Sequence, residues 1–241
     1  MRVKFGEAAV SYSVGCNVSD VDNRGIATPA AVVQAAIAAA IKTASAADIT
    51  VLGLGTIGRV FACVLILCVQ RRCVLSSGLC GDNYGGGPPK EDSTCFRINE
   101  AESTDRSSLA LPGSQMALFR AIHKLGKPLV VFVMNAGPLD LAEIKASGVP
   151  IVAAGYGGEY GGQATADVLA GDYNPGGATS VTWYPDAFTN VSSFHDMGMR
   201  PNSTTGNPGR TYRFLDESKI APVWRFGYGE SVSRYPQGTA D

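Results

Sequence analysis

Residues 48–55, DITVLGLG, decide the fold. A short unbroken apolar run that opens on an acidic residue and closes on glycine reads as a strand buried on both faces, the kind parallel sheets contain. Two further runs have the same character: Pro128 followed by LVVFVM at 129–134, and Val149 followed by PIVAAG at 150–155. A fourth is expected at 178–184, ATSVTWY, after the turn NPGG at 174–177. Upstream, AVSYSV at 9–14 alternates as a short strand does. Helical stretches separate these runs. Thr28 is placed to cap and Pro29 to open a helix through AAVVQAAIAAAIKTASA (30–46), with Val33, Ile37 and Ile41 on one face. That helix is nearly free of charge, so it is expected to pack into a core. Ser114 is expected to cap QMALFRAIHKL (115–125), which Gly126 stops. A third helix is expected from Glu159 to Leu169, ending at Gly171. Strands alternating with helices at this spacing predict an α/β fold: a mostly parallel β-sheet flanked by helices.

Two stretches depart from that rhythm. Residues 57–97 fit neither a crossover helix nor a compact loop, and are read as an irregular insertion. Residues 186–212 are rich in Asn, Ser, Thr, Gly and Pro and read as a long irregular C-terminal arm. The insertion contains the longest apolar run, Val60 to Val69, but its ten residues fall short of the roughly 20 that a membrane span needs. The start at Met1 shows no apolar signal-peptide core. The formal net charge of -1 offers no basic field for nucleic acid or an anionic membrane, so neither is expected as a partner. None of the six cysteines forms a C-x-x-C pair, and no metal site is expected.

In open parallel sheets, ligands bind beyond the carboxyl ends of the strands. Three segments lie there: the chain after Gly55, the NAGP turn at 135–138, and GYGGEYGG at 155–162. Beyond the insertion, the first of these reaches Glu100-Ala101-Glu102-Ser103-Thr104-Asp105-Arg106. Two carboxylates flanking a glycosidic bond are the usual equipment of glycosidases. In an extended loop, residues two apart lie on the same side, so Glu100 and Glu102 would stand side by side rather than face each other across a bond, and they are not read as one catalytic pair. Whichever of them acts needs a partner from elsewhere. Surface loops are full of Glu, and Asp105-Arg106 has the simpler reading of a local ion pair or turn cap. His123 reads as a cation at a helix C-terminus and His195 as a loop residue. Gly53, Gly55 and Gly58 meet the G-x-G-x-x-G spacing, but no acidic residue follows where a dinucleotide site requires one, and no cofactor is expected. Glycosylation sequons occur at Asn17, Asn190 and Asn202.

The blocks DRSSLALPGSQMALFRAI, GKPLVVFVMNAGPLDL, IVAAGYGGEYGGQATADVLAGDYNPGGATSVTWYP and DMGMRPNSTTGNPGRTYRF resemble, in order, the second domain of family 3 glycoside hydrolases. The arm RPN-x-x-TGNPGRTYRF is most similar to the β-xylosidase and α-arabinofuranosidase branch, and PVWRFGYGES resembles the lead-in to a fibronectin-like third domain. The resemblance covers residues 8–56 and 98–231. It implies one domain over 1–231, interrupted at 57–97, with 232–241 as a tail. It also implies a retaining hydrolase acting on xylo-oligosaccharides or arabinosides outside the cell. In such enzymes the nucleophile is an Asp on a preceding (β/α)8 barrel, which this chain lacks, so the chain alone is expected to be inactive. The acid/base is the first Glu of an E-A-E-G-x-D-R segment. This maps to Glu100, with Glu102 as the fallback, and Ser103 stands where the family has Gly. The competing expectation is a non-catalytic carbohydrate-binding module derived from such an enzyme.

Overall fold

A computed structural model of the chain describes residues 10–13, 15–16, 27–56, 66–69, 106–193 and 195–231, with the strand at 66–69 described by its backbone. Among these residues the strands are β1 (Val10–Ser13), β2 (Thr50–Gly55), β3 (Ile66–Val69), β4 (Leu129–Met134) and β5 (Ile151–Ala153). The principal helices are α1 (Ala30–Ser45), α2 (Gln115–His123), α3 (Ala142–Ala146) and α4 (Gly161–Ala170). Two single-turn helices, α5 (Phe188–Val191) and α6 (Thr211–Phe214), lie in the arm.

The sheet runs in the order β1-β3-β2-β4-β5. β2 pairs parallel with β4, Thr50 opposite Leu129 through to Gly55 opposite Met134, and β4 pairs parallel with β5. β3 lies antiparallel to both β1 and β2, so β1, β2, β4 and β5 all run one way and β3 runs against them. The fold is therefore an α/β sheet, mostly parallel, flanked by helices. Four residues of the stretch read as irregular insertion form this opposed strand. Their pairing with residues far away in sequence cannot be deduced from local periodicity.

Burial explains the sequence pattern. Every residue of β2 is buried, as its continuous apolar run predicts. β4 is equally apolar but alternates: Leu129, Val131 and Val133 face the core while Val130, Phe132 and Met134 are only half covered. The core joins these residues to Leu118, Phe119 and Ile122 of α2 and to Leu139, Leu141 and Ile144 around α3. Each fully buried side chain of this size contributes about 1.5–3 kcal/mol.

Three local expectations need correction. α1 starts at Ala30 with Pro29 in the capping position, its ψ of 135° extended, and no side chain caps the helix. Thr28 is one residue too early to reach the free amides. α1 also buries only its C-terminal half: Ala40 and Ala44 are enclosed and Ile37 and Ile41 pack beside them, while Val32 is 55% exposed. Residues 178–184 do not join the sheet. They pair irregularly with 223–228: Trp183 bridges Trp224, the Thr179 amide donates to Tyr228 O, and Thr179 O accepts from the Gly227 amide. The two indoles meet edge to face at 5.4 Å, which locks the C-terminal segment against the body. At the end of α4, Gly171 takes the left-handed cap (φ 81°) expected of it.

Among the described residues, no helix is long and apolar enough to cross a membrane.

Candidate functional site

The carboxyl ends of β2, β4 and β5 are held together by polar contacts between side chains and backbone. At the end of β2, the fully buried Gln115 accepts from the Gly55 amide and donates to the Gly55 carbonyl, both at 2.8 Å. It also donates to Pro112 O at 3.1 Å. One side-chain amide thus completes the backbone pairing of Gly55 on the edge away from β4, where β3 pairs only with Thr50–Leu52. Next, Thr56 donates its amide to Met134 O at 2.9 Å, and its hydroxyl meets the Tyr156 hydroxyl at 2.9 Å. That second contact ties the chain after β2 to the glycine-rich turn after β5. Asn135, nearly buried, donates to Gly137 O at 2.7 Å and shapes the NAGP turn after β4.

The chain entering α2 is fixed to this same rim. Arg106 donates through Nη2 to Pro138 O at 2.7 Å. Ala110 forms a parallel bridge with Asp140, and the Asp140 amide donates to Leu109 O at 2.6 Å. Asp186 Oδ1 accepts from the Ser108 hydroxyl at 2.7 Å and from the amides of Leu109 and Ala110 at 2.6 and 3.3 Å. Asp140 in turn caps α3 through the Ala142 amide and accepts from the Asp186 amide at 2.8 Å. Residues 106–112 are therefore clamped from two sides, by the turn after β4 and by the start of the arm.

Burial pushes the Asp186 carboxyl up, but the Ser108 hydroxyl and the Leu109 and Ala110 amides outweigh it and hold the group below its ordinary value of 3.8. A folded-state value below the unfolded one means stabilisation that is present above the unfolded value and lost as pH falls through the folded one. Asp186→Asn is accordingly expected to cost about 1–2 kcal/mol at neutral pH, because hydrogen bonds to a charged acceptor become neutral ones. The difference from wild type should shrink as pH falls below the ordinary carboxyl value of 3.8 and on through the folded-state one. Urea unfolding at a series of pH values checks this, and a gap that stays constant with pH refutes it.

Glu100, Glu102 and Asp105 lie outside the described residues. Arg106 is seated on the Pro138 carbonyl. His123 stacks on Phe119 with ring centroids 5.5 Å apart, in keeping with a structural role at the end of α2. His195 is exposed in the arm and donates its amide to Ser193 Oγ. At the end of β2, Gln115 already occupies the amide of Gly55, the second glycine of the G-x-G-x-x-G spacing. Among the described residues, no three His, Cys, Asp or Glu side chains converge to hold a metal. Sequence reasoning missed Gln115, Asp140, Asp186 and Tyr156. The only local signal among them was Gln115, a polar residue at the first position of an otherwise apolar helix face.

Comparison with known proteins agrees with this geometry. The family model described as "Glycosyl hydrolase family 3 C-terminal domain" matches residues 5–232. Probable beta-D-xylosidase 6 of Arabidopsis thaliana is 42% identical over 139 residues, covering 56% of this chain and 17% of that protein. Exo-1,4-beta-xylosidase xlnD of Emericella nidulans is 37% identical over 142 residues, covering 58% of this chain and 17% of that protein. A solved GH3 exo-beta-xylosidase (XlnD), in complex with a xylobiose aziridine activity-based probe, superposes with a TM-score of 0.53 at 38% identity over 55% of this chain and 17% of its own. A solved β-glucosidase from Erythrobacter marinus superposes with a TM-score of 0.53 at 26% identity over 88% of this chain and 23% of its own. The chain spans less than a fifth of the length of the curated relatives it matches. With the family model spanning nearly all of its length, the chain belongs to glycosyl hydrolase family 3, as that family's C-terminal domain.

Proposed function

We propose that this chain is the acid/base-bearing part of a retaining glycoside hydrolase that acts on β-xylosides or arabinosides, with Glu100 as the acid/base. The reading rests on the family, on xylosidases among the relatives, and above all on the seat of Arg106. Arg106 closes the segment that begins six positions earlier at Glu100, and its seat on the Pro138 carbonyl lies at the rim where β2, β4 and β5 end, the edge at which open parallel sheets bind ligands.

The second carboxylate comes from the preceding (β/α)8 barrel. There an Asp attacks the anomeric carbon while Glu100 gives its proton to the departing sugar oxygen. Glu100 then takes a proton from the water that releases the glycosyl-enzyme. A xylo-oligosaccharide or arabinoside, outside the cell, is the substrate. The isolated chain lacks the nucleophile and is expected to show no hydrolysis of an aryl β-xyloside above the buffer rate. The same chain joined to its barrel should turn the substrate over. Hydrolysis by the isolated chain refutes the two-domain site. Heat on titrating the isolated chain with xylobiose, with no activity after the barrel is restored, would instead favour a carbohydrate-binding module.

A further inference from the structure

We propose that Tyr156 sets specificity on the leaving-group side of the site, its ring stacking on the sugar that departs; this rests on the reading above, in which the acid/base comes from this chain. Tyr156 lies in the glycine-rich turn after β5, and its hydroxyl meets the Thr56 hydroxyl, just beyond β2, at 2.9 Å. β4 lies between those two strands, so the turn and its tyrosine together span two strand spacings, about 10 Å, across the carboxyl end of β4. Thr56 is 5% exposed and is itself anchored by its amide on Met134 O. Tyr156 is 38% exposed. The bond to Thr56 uses only the phenol oxygen. The tip is therefore fixed on a buried partner while part of the ring stays open, at the edge where parallel sheets receive ligands.

The turn is built to hold that side chain in place. Gly155 and Gly158 take left-handed backbone, with φ 62° and 40°, and a Cβ on Gly157 would lie 2.9 Å from Gly161 Cα. Conformation or contact thus favours glycine at three of the four positions 155–158, and the fourth carries the one large side chain.

Retaining chemistry decides which part of the substrate meets this rim. The nucleophile and the acid stand on opposite sides of the glycosidic bond, their carboxyl groups about 5–5.5 Å apart. The nucleophile belongs to the barrel and keeps the sugar that becomes the glycosyl-enzyme. The proton goes to the oxygen of the other sugar, and it is given by this chain. The departing sugar is therefore the part that faces the rim of this domain. A pyranose presents a face of C–H bonds ringed by hydroxyls, and an open tyrosine ring covers such a face while its polar tip stays bonded elsewhere.

The test compares xylobiose with methyl β-xyloside in the full-length enzyme, barrel included. Both leaving groups need the same proton, but only xylobiose offers a departing ring. The readout is the ratio of kcat/KM on xylobiose to kcat/KM on methyl β-xyloside. Tyr156→Ala is expected to lower that ratio about tenfold, the size of a lost aromatic contact. Tyr156→Leu, which keeps apolar bulk without a flat face, should lower it as well and gives the same reading if the alanine variant fails to fold. Tyr156→Phe keeps the ring and should keep the ratio, even where loss of the Thr56 bond lowers the melting temperature. If both substrates fall together in the leucine and alanine variants, Tyr156 is only a strap between two loops and the proposal is overturned. Wild-type enzyme that hydrolyses neither substrate overturns the reading on which the proposal rests, and the proposal with it; an unchanged ratio overturns the role of Tyr156 alone.

Discussion

Glu100→Gln in the full-length enzyme is expected to lower kcat on xylobiose by about 10²–10⁴-fold, the range a positioned proton donor supplies. In barrier height that is about 3–5.5 kcal/mol. The leaving group explains the size: a sugar alkoxide departs slowly unless it is protonated as the bond breaks. An aryl xyloside with an acidic phenol leaves without that help, so its glycosylation step should suffer much less. Its turnover then stalls at hydrolysis of the glycosyl-enzyme, where Glu100 would act as base. Azide needs no base to attack, and added azide should restore turnover of the aryl substrate with formation of the β-xylosyl azide. Glu102→Gln should cost far less on either substrate and show no azide rescue. If Glu102→Gln carries the large loss and the rescue, the two roles are exchanged. An unchanged melting curve for each variant separates lost chemistry from lost fold.

The strands of the parallel sheet were readable because β2, β4 and β5 are unbroken apolar runs, although only β2 is buried along its whole length. β1 was readable from alternation. The antiparallel insertion of β3 between β1 and β2 was not, since strand order depends on partners far apart in sequence. Residues 178–184 carry the composition of a strand, yet their hydrogen bonds go to 223–228, and composition does not name a partner. The clamp at Gly55 was hidden for a related reason. A Gln at the start of a helix looks like a surface residue until the fold brings it 2.8 Å from the Gly55 amide at the end of β2. Glu100 lies at the other extreme. Residue chemistry alone could not separate it from Glu102 or from any solvated loop carboxylate. The resemblance of one segment to a family motif singled it out.

Gly55→Ala is expected to be the most destabilising alanine substitution among the described glycines, costing more than about 4 kcal/mol, a size reserved for identifiable structural faults. Gly55 sits at φ 150°, backbone that L side chains rarely adopt, and an added Cβ would lie 1.8 Å from Met134 O. No rotamer relieves that clash, because both partners are backbone. The strand must move, and with it goes the last rung of the β2–β4 ladder, where Gly55 faces Met134. Gln115 then loses both of its bonds to Gly55, and each buried polar group left without a partner costs about 1–3 kcal/mol. A domain with the usual 5–15 kcal/mol in hand would be near its limit. Urea unfolding followed by the fluorescence of Trp183 and Trp224 measures the loss. Gly176→Ala is the control: nothing lies within 4 Å of the added methyl, and its cost should stay within about 0.5 kcal/mol. A Gly55→Ala chain that unfolds within about 1 kcal/mol of wild type would mean that the end of β2 can shift freely. That rim would then be soft, and in the full-length enzyme the variant would keep its activity. The rigid end described here predicts the opposite: stability and turnover lost together, in contrast to Glu100→Gln, which should lose turnover alone.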